Sequence, residues 1–124
     1  MTDDLSLSSH TQSATELLLA LGELSMRSQR VGDAHTISVT GEMDLATAPD
    51  VEQELIRVEA TDAATIVLDL GGLTFLDGTG IRMLIVADAR SRSNGHPLSL
   101  RRPPEHVLRV LRVCGMADRL PLVD

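Results

Sequence analysis

The segment Thr65-Ile66-Val67-Leu68-Asp69-Leu70 is almost continuously apolar, and it runs straight into a stretch from Gly71 to Gly80 with glycine at 71, 72, 78 and 80. A short apolar run bounded by glycines reads as a strand, and its weak alternation predicts cover on both faces. Gly71 to Gly80 then reads as a loop. Beyond it, Ile81, Leu84, Ile85 and Asp88 recur at helical spacing as far as Asn94-Gly95, a helix stop. Strand, glycine-rich loop and helix in that order confine the chain to an α/β fold with crossover connections.

The flanking segments agree. His35 to Thr40 alternates with period two, as a half-buried strand does, and Gly32-Asp33 turns the chain between it and a possible edge strand over 24–31. Thr47-Ala48-Pro49-Asp50 looks like a helix start, with Thr47 as cap and Val51, Leu55 and Val58 on one face. Pro97 to Arg101 reads as a short strand. Pro103-Pro104-Glu105 opens a last helix, with Val107, Val110, Leu111 and Cys114 apolar and Gly115 as its end. Leu120 to Val123 is a candidate final strand. The expected architecture is one α/β domain over 24–124, a mixed four- to five-stranded sheet with helices packed on it. Residues 1–23 are expected to be a flexible N-terminal segment. Within it, Leu17 to Leu21 behind a Thr15 cap fits a short helix or a docked arm equally well.

Composition removes whole classes of function. The 124 residues carry a formal net charge of -7, all eleven basic residues are Arg, and Phe75 is the sole aromatic. Such a chain repels a polyanion and offers no platform for stacking bases, so no nucleic-acid partner is expected. The acidic opening Met1-Thr2-Asp3-Asp4 is the reverse of a secretory leader, and the Leu17–Leu21 run is too short to span a bilayer. With one cysteine, Cys114, expected as a buried structural thiol, the reading is a cytoplasmic protein with no membrane partner.

Two loops are expected at carboxyl ends of strands, where α/β sheets meet ligands and partners. One is Gly41-Glu42-Met43-Asp44 and the other Leu76-Asp77-Gly78-Thr79-Gly80. Parallel neighbouring strands would set Asp44, Asp77 and Thr79 on one surface. Thr79 stands at a helix start, where its hydroxyl can cap backbone N–H groups and where a phosphate is also favoured. Gly80 is expected to hold a backbone conformation that a side chain would strain.

Val39-Thr40-Gly41-Glu42-Met43-Asp44 resembles the opening signature of STAS domains, the anti-sigma factor antagonists. Ile66 through Ile81 resembles their central signature, in which a strand and a Leu-Thr-Phe stretch lead to Asp-Ser-Ser/Thr-Gly. Leu111 to Met116 resembles their last helix and its glycine end. The resemblance implies a non-enzymatic, STAS-like domain that binds an anti-sigma factor of the serine/threonine kinase type and so releases a sigma factor. It also implies phosphorylation of Thr79, reversed by a PP2C-type phosphatase, with Asp77 and Asp44 at the family's acidic positions. The paired loops at strand ends predict a partner-binding surface of Asp44, Asp77, Gly78, Thr79, Gly80 and Arg82, with Asp88 or Arg90 of the following helix as further contributors. The sequence departs from the signature at Gly78, where the family has its first hydroxyl residue. The alternative is an unswitched binding module of a transport or stress-signalling complex.

An enzyme is the reading from another class. Asp77-Gly78-Thr79 is similar to the nucleophile motif of haloacid-dehalogenase-like phosphatases, but that motif needs Asp where Phe75 stands and a later Lys, and the chain has none. His35, His96 and His106 have no spacing that suits a metal or a catalytic base, and no phosphate-binding loop motif occurs, so no cofactor or metal is expected.

Overall fold

The computed structural model describes residues 16–21 and 23–124. Its strands are β1 (Glu16–Leu21), β2 (Leu24–Val31), β3 (Ala34–Met43), β4 (Thr65–Leu76), β5 (Leu98–Arg101) and β6 (Leu122–Val123), and its helices are α1 (Ala48–Glu59), α2 (Gly78–Asn94) and α3 (Glu105–Val113). The six strands form one sheet in sequence order. The β1–β2 and β2–β3 pairings are antiparallel, and β3–β4, β4–β5 and β5–β6 are parallel. Each parallel pair is joined through a helix. Because the strand order never reverses, right-handed crossovers lay all three helices on the same face.

That one-sidedness corrects the expectation of a strand covered on both faces. Along β4, Ile66, Leu68 and Leu70 are buried, while Val67 and Asp69 on the other face are only half-buried. Asp69 there pairs with Arg101 of β5 at 2.9 Å. The apolar character of the run reflects a central strand with half-covered Val67, not a second layer of helices.

The α/β class and mixed sheet match the sequence reading. Two boundaries do not. β4 continues through Gly71-Gly72 to Leu76, where the sequence predicts a loop. The glycines permit this: a Cβ at Gly72 would lie 2.6 Å from Thr40 Oγ1 and 3.0 Å from Val39 O, so only glycine lets β3 and β4 stay paired at that point. The strand count among the described residues also rises to six. Glu16–Leu21, which the sequence places as a helix or docked arm inside a flexible segment, is a strand added to the edge of β2. The rest of the expected flexible segment before Glu16, with the Thr15 cap, lies outside the described residues.

The buried face carries Leu, Ile, Val, Met and Ala, with Met26, Ile37, Leu55, Leu68, Leu84 and Leu111 among its fully enclosed side chains. Of the residues at helical spacing in α2, Leu84 is core and Ile81 packs against the core, but Ile85 is exposed; Met83 and Ala87 lie on the inner face of α2. Cys114, expected to be buried, is exposed at the end of α3, its thiol donating to Val110 O.

A polar chain crosses this apolar layer beneath α1. Ser28, His35 and Glu54 are all buried. Arg57 donates twice to Glu54, at 2.8 and 2.6 Å. Ser28 Oγ lies 2.6 Å from His35 Nε2 and also bonds Glu54. An ionised carboxylate only accepts, so the Ser28 proton goes to Glu54 and His35 Nε2–H donates to Ser28. Burial pushes the Glu54 carboxyl up, but the Arg57 bonds and the Ser28 hydroxyl outweigh it and hold it below the usual range. Burial first, and then the Arg57 charge, hold His35 below its ordinary value of 6.5.

A lowered histidine leaves the unfolded chain with more bound protons than the folded one, so the stability it contributes is complete above the unfolded value and is lost as pH falls below it. The unfolding midpoint is expected to drop between about pH 7.5 and about pH 5.5, with His35→Gln, which keeps an N–H for Ser28, dropping less. Parallel pH profiles for the two proteins would exclude His35 as the cause.

Candidate functional site

Parallel pairing sets Met43 opposite Leu76, so β3 and β4 release their loops side by side. Asp77 N donates to Met43 O at 3.3 Å and ties the second loop to the first strand. The structure therefore brings the Asp44 and Asp77–Thr79 loops to the same end of the sheet, though of the three residues expected on one surface only Thr79 lines the groove described below.

The roles within the loops differ from that expectation. Asp77 has extended backbone, and its Oδ1 accepts from Gly80 N at 3.0 Å, so Asp77 is the cap of α2. Thr79 stands inside the first turn, relieved of capping. Its side chain is partly exposed, and its hydroxyl has no hydrogen bond among the described residues. At the other loop, Asp44 Oδ1 accepts from Ala46 N at 2.9 Å and Thr47 N at 3.2 Å, folding the turn that enters α1. Thr47, expected to cap α1, makes no side-chain cap bond. It is buried, accepts from Asp44 N at 2.9 Å and donates to Glu42 O at 2.8 Å. Both acidic residues thus have structural work, which predicts specific costs. Asp77→Ala is expected to lose about 1 kcal/mol of stability, whereas Asp77→Asn, an equally good cap, stays near wild type. Equal denaturation midpoints for Asp77→Ala and wild type would overturn the capping assignment.

Thr79 opens onto a groove of about 200 Å³ between two helices, lined by Ala48, Pro49 and Glu52 of α1 and by Thr79, Arg82, Met83 and Val86 of α2. Gly78 is exposed, and a Cβ there would meet nothing within 4 Å. Gly80 is buried, and its reason for being glycine is different from the one expected. It lies in helical backbone and is not among the positive-φ glycines. A Cβ would instead stand 2.5 Å from Leu76 Cδ1 and 3.0 Å from Met43 O.

Arg82 is exposed on this surface. Asp88 and Arg90 are turned to other work. Asp88 is buried and pairs with Arg92 at 2.5 Å. Arg90 bridges the two helices, bonding Glu59 of α1 at 2.7 Å and lying 3.6 Å from Glu52. Sequence reasoning overlooked the apolar residues at this end. Leu45 is 74% exposed, Phe75 46% and Val86 41%. Their signal was present in outline, since each lies within a few residues of a motif position. Which face each takes follows from the strand ends and the helix phase. Among the described residues, no cluster of His, Cys, Asp and Glu is placed to hold a metal ion, and no helix is long and apolar enough to cross a membrane.

Comparison with known proteins bears on this arrangement. The chain is 27% identical over 90 residues to an anti-sigma-B factor antagonist of Listeria monocytogenes, covering 73% of this chain and 79% of the relative. The fold matches an anti-sigma factor antagonist from Mycobacterium paratuberculosis with a TM-score of 0.71 at 23% identity, over 84% of this chain and 89% of that one. It matches the anti-sigma factor antagonist SpoIIAA in its unphosphorylated form at 0.66 and 17% identity, over 80% and 86% of the two chains. The phosphorylated form of that Bacillus cell fate determinant matches at 0.62 and 16% identity, over 80% and 89%. The structural matches establish the fold. The family model described as "Mlab, STAS domain" matches residues 26–124, nearly the whole described region, and the chain belongs to the STAS-domain family.

Proposed function

We propose that this protein is an anti-sigma factor antagonist that binds an anti-sigma factor and thereby frees a sigma factor, and that phosphorylation of Thr79 switches it off. The observation that carries the reading is the Thr79 hydroxyl: unbonded among the described residues, partly exposed, and opening on the groove between α1 and α2. The anti-sigma-B antagonist relative supports the partner class. The exposed Val86 in the groove and Leu45 in the Asp44 loop give this end of the fold apolar surface for docking, and Asp44, Asp77, Thr79 and Arg82 supply polar groups, with Gly78 and Gly80 shaping the loop between them. The setting is the cytoplasm, where such partners work.

The partner is an anti-sigma factor that is itself a serine/threonine kinase. Thr79 Oγ1 forms a bond to the γ-phosphorus of ATP, the bond from that phosphorus to ADP breaks, and a base of the kinase takes the hydroxyl proton. A PP2C-type phosphatase returns the threonine by hydrolysis, releasing inorganic phosphate. Phosphorylation adds close to two negative charges in the groove that Glu52 also lines, at the end of the sheet where the Asp44 and Asp77 loops emerge. Incubation with ATP and such a kinase, followed by peptide mass spectrometry, is expected to find one phosphoryl group on Thr79. Transfer elsewhere, or none with any kinase that binds the protein, would overturn the switch.

A second reading is favoured by Gly78, which lacks the first hydroxyl of the signature. It is an unswitched STAS module of a transport or stress-signalling complex, in which Thr79 serves as a contact residue only. Binding to such a complex that Thr79 substitution weakens, with no phosphoryl group accepted at Thr79, would favour it.

A further inference from the structure

We propose that Arg82 is the intramolecular counter-ion of a phosphoryl group on Thr79, so that modification withdraws a cation from the α2 surface as well as adding an anion to it. The proposal rests on the phosphorylation reading above and says how the same chain would receive the modification.

Three observations converge. Arg82 lies one turn after Thr79 on α2, and the two line the same groove. Side chains three residues apart on a helix are neighbours, with an anion on the N-terminal side of a cation the better order. Second, Arg82 is free to respond. Arg30, Arg57, Arg90, Arg92, Arg101, Arg102 and Arg112 each hold a carboxylate, whereas Arg82 is exposed and has no ion pair among the described residues. Third, the one carboxylate lining the groove, Glu52, is approached by Arg90 at 3.6 Å and makes no ion pair with Arg82. The Thr79 hydroxyl is neutral and makes no hydrogen bond among the described residues, so the unmodified site gives Arg82 nothing to hold. A phosphoryl group places three acceptor oxygens and nearly two charges within reach of a guanidinium, whose paired N–H groups suit two of those oxygens.

The consequence is a switch with two parts. In the unmodified protein Arg82 is exposed to solvent and is available to a carboxylate of the partner. In the modified protein it turns back along α2 to the phosphate. Repulsion by the new charge and removal of the old one then act in the same direction.

The test uses phosphothreonine installed at position 79 by genetic code expansion, so that no kinase need recognise the protein. The second ionisation of the phosphate is followed by phosphorus NMR in the wild-type background and in Arg82→Gln and Arg82→Lys. The midpoint is expected about half a unit lower in the wild-type background than in Arg82→Gln, with Arg82→Lys between them, and the difference should shrink in about 1 M salt. The free N–H groups of the helix start act on all three proteins alike, so they cancel in the comparison. Superimposed titrations for wild type and Arg82→Gln would overturn the proposal even if Thr79 is the kinase's target. A failed kinase reaction with separated titrations would overturn only the switch.

Discussion

Phosphorylated protein is expected to bind its anti-sigma partner more than about a hundredfold more weakly than the unmodified protein, a difference of ~3 kcal/mol. The groove supplies the reason. Thr79 shares it with Glu52, and the Asp44 and Asp77 loops stand at the same end of the sheet, so added anionic charge meets existing anionic charge where a partner must shed water. Thr79→Ala removes a hydroxyl that makes no hydrogen bond among the described residues, so it is expected to bind within about twofold of wild type while accepting no phosphate. Thr79→Glu carries one charge on a planar group and is expected to lose about 1–2 kcal/mol. Calorimetric titration of the three proteins at low and high salt checks the series. An electrostatic veto weakens as salt rises. Equal affinity for Thr79→Glu and wild type at low salt would sink it.

Gly80→Val is expected to cost about 3 kcal/mol of folding stability and to lower the thermal midpoint by roughly 10 °C. The position lies in ordinary helical backbone, so strain in φ is not the cause. The cause is distance. The missing Cβ would stand 3.0 Å from the Met43 carbonyl oxygen and 2.5 Å from Leu76 Cδ1. Leu76 is 4% exposed and its side chain has little space to move. Met43 O is backbone, held at the end of β3 and already accepting from Asp77 N. Valine adds two methyl groups to that clash. The start of α2 would have to lift away from β3 and take the Thr79 groove with it. Gly78→Ala supplies the contrast, because a Cβ there meets nothing within 4 Å and alanine favours the first helical turn. Its midpoint is expected to equal wild type or exceed it slightly. If denaturation curves for Gly80→Val and Gly78→Ala coincide, close approach is not why residue 80 is glycine.

How much of this is legible in the sequence differs by element. Gly95 and Gly115 end helices as expected, both with positive φ. The carboxyl-end loops meet because parallel pairing puts them together, and the alternating elements imply parallel pairing. The cap of α2 falls two residues before the one the sequence suggests. Asp, Gly and Thr all suit a helix start, and only hydrogen-bond geometry shows that Asp77 takes Gly80 N and leaves Thr79 free of capping. Asp88 and Arg90 look like surface charges in the sequence. Their helical phase leaves Asp88 buried, holding Arg92 of the same helix, and sends Arg90 across to Glu59 of α1.

The amino-acid order alone determined the class of fold, the two loops that carry the chemistry and the hydroxyl on which the proposed switch depends. These follow from periodicity, glycine placement and residue type, which are local properties. Tertiary structure alone decided that the helices share one face, that β4 runs through its glycines, that Gly80 is required by a neighbouring carbonyl and that Arg82 has no ion pair among the described residues. Each of these depends on which distant backbone or side chain comes within a few ångströms, and no local pattern encodes that distance.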